Sequence, residues 1–236
     1  MPDHDLFREW DLYAHVVESN WMRHRELEAG LRAELAFSRG NRVLRVLDLG
    51  CGDGWVAHKV LSEFEIARYV GVDLSESALS RHARRGSLGR HPRPVEKELM
   101  LCDMIDAIER IDDQSFDLIL ASYSLHHLVA GQKQSMLDQI ARVVVSAGEF
   151  FWTDVVRKET EERDDYLRRL SLEIAHGWDS ISQAERDATI NHIWKSDYPE
   201  RESWMRDQAA ARGLSMTREL FRDSFHGSWR FEKSIA

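Results

Sequence analysis

Val46-Leu47-Asp48-Leu49-Gly50-Cys51-Gly52-Asp53-Gly54 reads as a buried strand running into a glycine-rich turn. The apolar run 43–49 stops at Gly50, and 56–64 resumes with helical spacing. Glycine at alternating positions lets backbone approach a ligand where a side chain would clash. In an open parallel sheet, ligands bind outside the carboxyl ends of strands, so Asp48 stands just inside a ligand-binding edge. The nicotinamide pattern G-x-G-x-x-G breaks at Trp55, which is too large for the close helix–strand contact. No Gly-Lys-Ser/Thr follows, so the phosphate-binding P-loop is excluded as well.

Outward from this turn, apolar runs alternate with helical patterns. Strands are predicted over 67–72, 95–101, 116–122 and 149–156, with helices over 75–84, capped by Ser75, and 131–145. That alternation predicts a parallel sheet with helices on both faces. Ahead of it, 5–38 is helical: Leu6, Trp10, Tyr13, Val17 and Trp21 share one face, and Leu27, Leu31 and Leu35 form a second stripe. Ser19 and Asn20 break the two, and Gly40-Asn41 ends the second. Residues 158–196 read as polar helix with apolar Tyr166, Leu170, Ile174, Ile190 and Trp194. A further helix starts at Pro199 and stops at Gly213, and two strands follow over 214–221 and 228–235.

The 236 residues suit a single domain with a sizeable core. Hydrophobic residues at 43% and charged residues at 31% exclude collagen-like, mostly disordered and disulfide-scaffold classes. A net charge of −9 disfavours nucleic acid and anionic membrane as partners. Cys51 and Cys102 read as reduced thiols of a cytoplasmic protein. The acidic amino terminus does not fit a signal peptide, and no apolar stretch is long enough to span a bilayer. Arg81, Arg84, Arg85, Arg90 and Arg93 crowd one stretch, read as a solvated loop at the opposite edge of the sheet from the glycines.

Three more blocks carry chemistry. In Gly71-Val72-Asp73-Leu74-Ser75, Asp73 ends the second strand, 23 residues after Gly50, where an acid accepts from ribose hydroxyls. In Leu101-Cys102-Asp103-Met104, a carboxylate precedes an apolar side chain, a pairing that suits adenine and equally suits a helix cap. Phe116 to Leu128 runs as a strand into Ser122-Tyr123-Ser124-Leu125-His126-His127. In this order, the four blocks resemble the class I S-adenosylmethionine-dependent methyltransferases of small-molecule type. The resemblance covers 43–156 and implies a Rossmann-like, seven-stranded, mostly parallel sheet with an antiparallel last strand. It also implies S-adenosylmethionine as cofactor. Gly50, Gly52 and Gly54 are then expected at its methionine part, with Asp48 and Cys51 beside them. Asp73 is expected at the ribose, Asp103 and Met104 at the adenine, and Ser122 at the methionine end, with Leu74 also in the cofactor site. The family turn before the fifth strand, a proline with two glycines, is replaced here by Val145-Ser146-Ala147-Gly148-Glu149.

The domain is expected to divide into a helical lid (1–40), a cofactor-binding core (41–157), a helical cap (158–198) and a closing segment (199–236). Tyr13 and Trp10 are placed over the cofactor. His126 and His127 are the candidate bases, since imidazole titrates near neutrality, and His126 is favoured because it is nearer the strand end. Tyr123, His126, His192, Trp194 and Tyr198 are the expected acceptor contacts. The fourth strand ends in Ser122 and Tyr123, not in acids, so no metal site is expected. The expected activity is metal-independent O- or N-methylation of a small molecule. The competing readings are a nicotinamide dinucleotide-dependent oxidoreductase and a non-catalytic S-adenosylmethionine-binding protein.

Overall fold

A computed structural model describes residues 10–39, 42–90 and 95–234. The sequence expectations for 1–9, Gly40-Asn41, 91–94 and 235–236, and for the side chain of Trp10, lie outside the described residues. Two helices, α1 (Trp10–Glu18) and α2 (His24–Arg39), lead into β1 (Leu44–Leu49), α3 (Trp55–Val60), β2 (Ile66–Asp73) and α4 (Glu76–Arg84). Next come β3 (Glu96–Leu101), α5 (Met104–Glu109), β4 (Phe116–Ser122), α6 (Ala130–Val143) and β5 (Val144–Arg157). The chain closes with α7 (Arg163–Gly177), α8 (Gln183–Ser196), β6 (Glu200–Arg201), α9 (Glu202–Ala210), β7 (Leu214–Arg222) and β8 (His226–Lys233).

The main sheet has the order β3-β2-β1-β4-β5-β8-β7, and two-residue β6 adds to β5. Strands β1 to β5 pair in parallel, and β8 runs antiparallel to both neighbours. This is the expected Rossmann-like plan with a reversed last strand. Two short elements, α5 and β6, were not read from the sequence, because each is too short to show a period.

Strand side chains alternate between faces, and the core divides accordingly. Leu47 and Leu49 belong to a cluster with Ala107, Ile108, Met136, Leu137, Ile140, Met205 and Ala209 of α5, α6 and α9. Leu44 and Val46 face the other way, against Leu27, Leu31 and Leu35 of α2 and Ala57 and Val60 of α3. A third cluster joins Val16 of α1 to Tyr166, Leu170 and Ile174 of α7 and Ile193 of α8. Trp21 and Trp178 stack there at 4.6 Å and 12°. Helices α1, α7 and α8 therefore share one apolar seam.

The atypical turn before β5 has a local explanation. Ala147 takes a left-handed φ of 56°, and a Cβ on Gly148 would lie 2.6 Å from Val144 Cγ2. The single glycine sits where the chain needs it, and β5 starts before its predicted residue 149. Just beyond this turn, Glu149 is buried between two guanidinium groups. Arg39 Nε donates to Oε2 at 2.5 Å, and Arg230 Nη2 approaches Oε1 at 2.6 Å. Arg230 Nη1 also donates to Glu34 Oε1 at 2.8 Å, so α2 is fastened to β5 and β8. Removing one partner of a buried pair leaves charge uncompensated. Glu149→Gln is expected to cost about 3–5 kcal/mol, read as a lower urea midpoint at constant m-value.

Candidate cofactor site

The strand order reverses between β1 and β4, and the crevice at that switch point is where this kind of sheet binds ligands. The glycine loop is built for the crevice. Gly50, Gly52 and Gly54 have φ of 74°, 55° and 76°, values that side chains with a Cβ rarely adopt. Gly50 N and Cys51 N both donate to Val72 O at 2.9 Å. Asp73 accepts from Gly52 N through Oδ2 and from Ser75 N through Oδ1, each at 2.8 Å. A carboxylate offers about four acceptor positions, so Asp73 keeps capacity for further donors. Across the switch, Ser124 Oγ donates to Leu49 O at 2.7 Å, and a Cβ on Gly50 would sit 2.3 Å from Ser124 Cβ.

Behind the loop lies a buried polar layer. Asp48 stands opposite Gly71 in the β1–β2 ladder and accepts from Tyr69 Oη at 2.8 Å. Burial outweighs that hydrogen bond and pushes the Asp48 carboxyl up to about 7. Burial likewise raises the Cys51 thiol. The ring of His82 fills the space where a Gly54 side chain would go, and burial lowers its pKa to about 3. The arginine-rich stretch is not wholly a solvated loop at the far edge: Arg85 turns inward, pairing with the Asp53 carboxylate and donating through Nε to Asp53 O at 2.6 Å.

One pocket opens over the loop. It is lined by Tyr13 and Val17 of α1, His24 of α2, Asp48, Gly50, Cys51, Gly52, Asp53, Trp55, Val56 and Ser122. Tyr13 thus faces the glycine loop. Burial and the nearby Asp53, Asp73 and Asp48 carboxylates hold its phenol protonated. His24 has no sequence signal and was not expected. It is only 1% exposed, with Tyr13 Oη 3.3 Å from Nε2 and the rings of Trp55 and Tyr123 around it. Burial lowers its pKa to about 3, so it stays neutral, and its Nδ1 is buried with no hydrogen-bond partner. Trp55, read from the sequence only as an obstacle to nicotinamide, is part of the lining.

The remaining expected residues are not part of this lining. Leu74 follows the end of β2 and is 46% exposed. Asp103 caps α5, accepting from Ile105 N at 2.8 Å through Oδ1, and Met104 packs on the core cluster of α5 and α6. Tyr123 holds a left-handed φ of 55°, fixed by its N–H on Thr153 O at 2.9 Å and its hydroxyl on Met22 O. His126 lies outside the lining, buried with Nδ1 2.5 Å from Asp154 Oδ1 and Nε2 3.7 Å from Asp197 Oδ1. Burial alone would lower its pKa, but the Asp154 and Asp197 carboxylates overcome this and raise it. The 192–198 segment meets His126: Tyr198 N donates to His126 O at 2.7 Å, and the rings of His127 and His192 meet edge-on at 5.7 Å. Trp194 instead turns to α7, with Nε1 on Ser171 Oγ at 3.1 Å.

Residues 46–148 match a family described as a methyltransferase domain. An uncharacterized methyltransferase of Schizosaccharomyces pombe is 32% identical over 107 residues, 44% of this chain and 37% of that one. A malonyl-acyl-carrier-protein O-methyltransferase of Halorhodospira halophila is 33% identical over 104 residues, 44% of this chain and 32% of that one. A magnesium protoporphyrin IX methyltransferase of Synechocystis PCC 6803, solved with S-adenosylhomocysteine bound, shares the fold. Its TM-score is 0.67 at 13% identity, covering 99% of this chain and 98% of that one. Over residues 46–148 the chain is thus similar to a methyltransferase domain, and its fold is shared with a methyltransferase solved with S-adenosylhomocysteine and with S-adenosylmethionine bound. It spans less than two-thirds of the length of the curated relatives it matches.

Two outcomes follow from this geometry. Gly52→Val forces a β-branched residue into a left-handed turn, so S-adenosylhomocysteine affinity is expected to fall at least ~100-fold by calorimetry, with the circular dichroism spectrum retained. The raised Asp48 pKa has a linkage consequence. Its favourable contribution is complete below the unfolded value near 4 and is lost as pH rises through about 7. Urea titrations at several pH values are therefore expected to show the wild type losing stability relative to Asp48→Asn across that window.

Proposed function

We propose that the chain is a metal-independent S-adenosylmethionine-dependent methyltransferase acting on a small-molecule acceptor by O- or N-methylation. The observation that carries the reading is the Asp73 carboxylate holding Gly52 N–H at 2.8 Å, where Gly52 lines a pocket together with Tyr13 and His24. In this reading, Gly50, Cys51, Gly52 and Gly54 take the methionine portion of the cofactor. Asp73 takes the ribose, Leu74 and Met104 take the faces of the adenine, and Asp103 takes its amine. Asp48 and Ser122 stand at the methionine end, and Tyr13 closes over it. Acid pairing with Asp53 keeps Arg85 on the loop side.

The bound cofactor supplies a methyl group already activated on a sulfonium. The chain must align a nucleophile behind it and keep water out, contributions worth on the order of 7–11 kcal/mol in ideal cases. The Tyr13, His24, Trp55 and Tyr123 rings provide an apolar wall with polar tips for the acceptor. Neutral His24, with its buried Nδ1 open to a donor, orients an acceptor hydroxyl or amine. His126, held between the Asp154 and Asp197 carboxylates, takes a positioning role in place of the base expected from the sequence. His127, His192 and Tyr198 stand on the cap side of the acceptor approach, and Trp194, bonded to Ser171 of α7, does not. The net charge of −9 is the reason to propose no nucleic-acid partner, and the free thiols of Cys51 and Cys102 are the reason to propose a cytoplasmic enzyme. Among the described residues, no helix is long and apolar enough to cross a membrane.

The test has two stages. Calorimetry is expected to show micromolar binding of S-adenosylhomocysteine and none of NADH; the reverse pattern would restore the oxidoreductase reading. Labelled methyl transfer to a panel of phenols, carboxylates and amines then separates an enzyme from a non-catalytic binder. With an accepted substrate in hand, His24→Ala is expected to lower kcat/KM by about 10- to 100-fold, while S-adenosylhomocysteine affinity stays within error of the wild type.

A further inference from the structure

The turn after β4 and the end of α8 bring three ligand-type side chains together, away from the cofactor pocket. His126 Nε2 lies 3.7 Å and His127 Nδ1 lies 3.5 Å from Asp197 Oδ1, and the three atoms all fall within 4.8 Å of one another. These separations are too long for good hydrogen bonds. The two distances to Asp197 are close to the edge of a tetrahedron around a zinc ion, about 3.3–3.6 Å for bonds of 2.0–2.2 Å.

Asp197 Oδ1 is buried and accepts no hydrogen bond, although a buried carboxylate oxygen left so is costly. His126 is prepared on its other side. Asp154 Oδ1 takes the Nδ1 hydrogen at 2.5 Å, which fixes the tautomer and leaves Nε2 to act as a ligand. Asp154 is itself held, accepting from Trp152 Nε1 and Val155 N at 3.0 Å each. A carboxylate behind a ligating histidine is the outer-shell arrangement that orients metal-binding imidazoles. His127 Nδ1 also lies 3.3 Å from Ser196 O, so metal binding at Nδ1 would move the hydrogen of the neutral ring to Nε2. Two imidazoles and one carboxylate suit zinc and its neighbours, not magnesium or calcium.

We propose that His126, His127 and Asp197 form a zinc-type site that clips the α7–α8 cap to the carboxyl edge of the sheet. The pairing is absent from any one local motif, because His127 and Asp197 are 70 residues apart. The inference stands apart from the methyl-transfer reading, since its test measures metal.

The full chain, stripped with chelator and dialysed, is titrated with Zn2+ and separately with Co2+. The expected results are one bound equivalent of Zn2+ and the intense visible bands of tetrahedral Co2+. Zn2+ at ~100 times its dissociation constant is expected to raise the Tm by roughly 5–10 °C. Asp197→Asn and His127→Ala are expected to lose the Co2+ bands and the Tm rise, whereas His176→Ala, on an exposed face of α7, keeps both. Should either variant fail to fold, X-ray absorption of the wild-type zinc complex decides: two imidazoles with oxygen ligands support the site. No stoichiometric binding, an all-oxygen shell, or binding that persists in folded Asp197→Asn would overturn it.

Discussion

The hydrogen bond from Gly52 N to Asp73 Oδ2 joins the end of one strand to the turn after another, and the pocket depends on it. A loop with three left-handed residues has no helix or sheet ladder of its own. Its amides must find acceptors elsewhere. Val72 O and the Asp73 carboxylate supply them, so the end of β2 shapes the turn after β1. The same carboxylate accepts from Ser75 N and so also starts α4. The residue proposed to meet the ribose is therefore first a structural brace.

The wall over that loop comes from a distant part of the chain. Tyr13 and His24 reach it because α2 is anchored through Arg39 to Glu149 and because Val16 sits in the seam with α7 and α8. Tyr123, strained in the left-handed region, ties its hydroxyl to Met22 O and its amide to β5. Helices α1 and α2, the α7–α8 pair and the sheet edge are thus coupled through a few buried polar contacts and one apolar seam. A shift of α1 would be felt at both the pocket and the cap.

Much of the core was legible because its signals are local. The run 43–49 with its glycines, Ser75 as a helix cap, and the alternation of Trp229 and Phe231 each follow from period and turn chemistry within a few residues. Asn20 as a helix breaker belongs to the same class: its side chain accepts from Arg25 N at 2.8 Å, at the start of α2. His126 shows the opposite case. Its place after β4 suggested a base, yet its partners come from residues 154 and 197, which no spacing could announce. Arg85 read as solvated because its partner, Asp53, lies 32 residues earlier in the chain.

By itself, the sequence determined the strand-helix alternation, the left-handed glycine turn and the acid at the end of β2, because backbone sterics and side-chain period act over a few neighbouring residues. Tertiary structure alone decided which titratable groups are buried, and against what. It made His24 a neutral wall of the pocket, raised Asp48 to about 7, and set two histidines against Asp197. The physical reason is that desolvation and charge pairing depend on distance in space, and the folded chain brings together groups that the sequence keeps tens of residues apart.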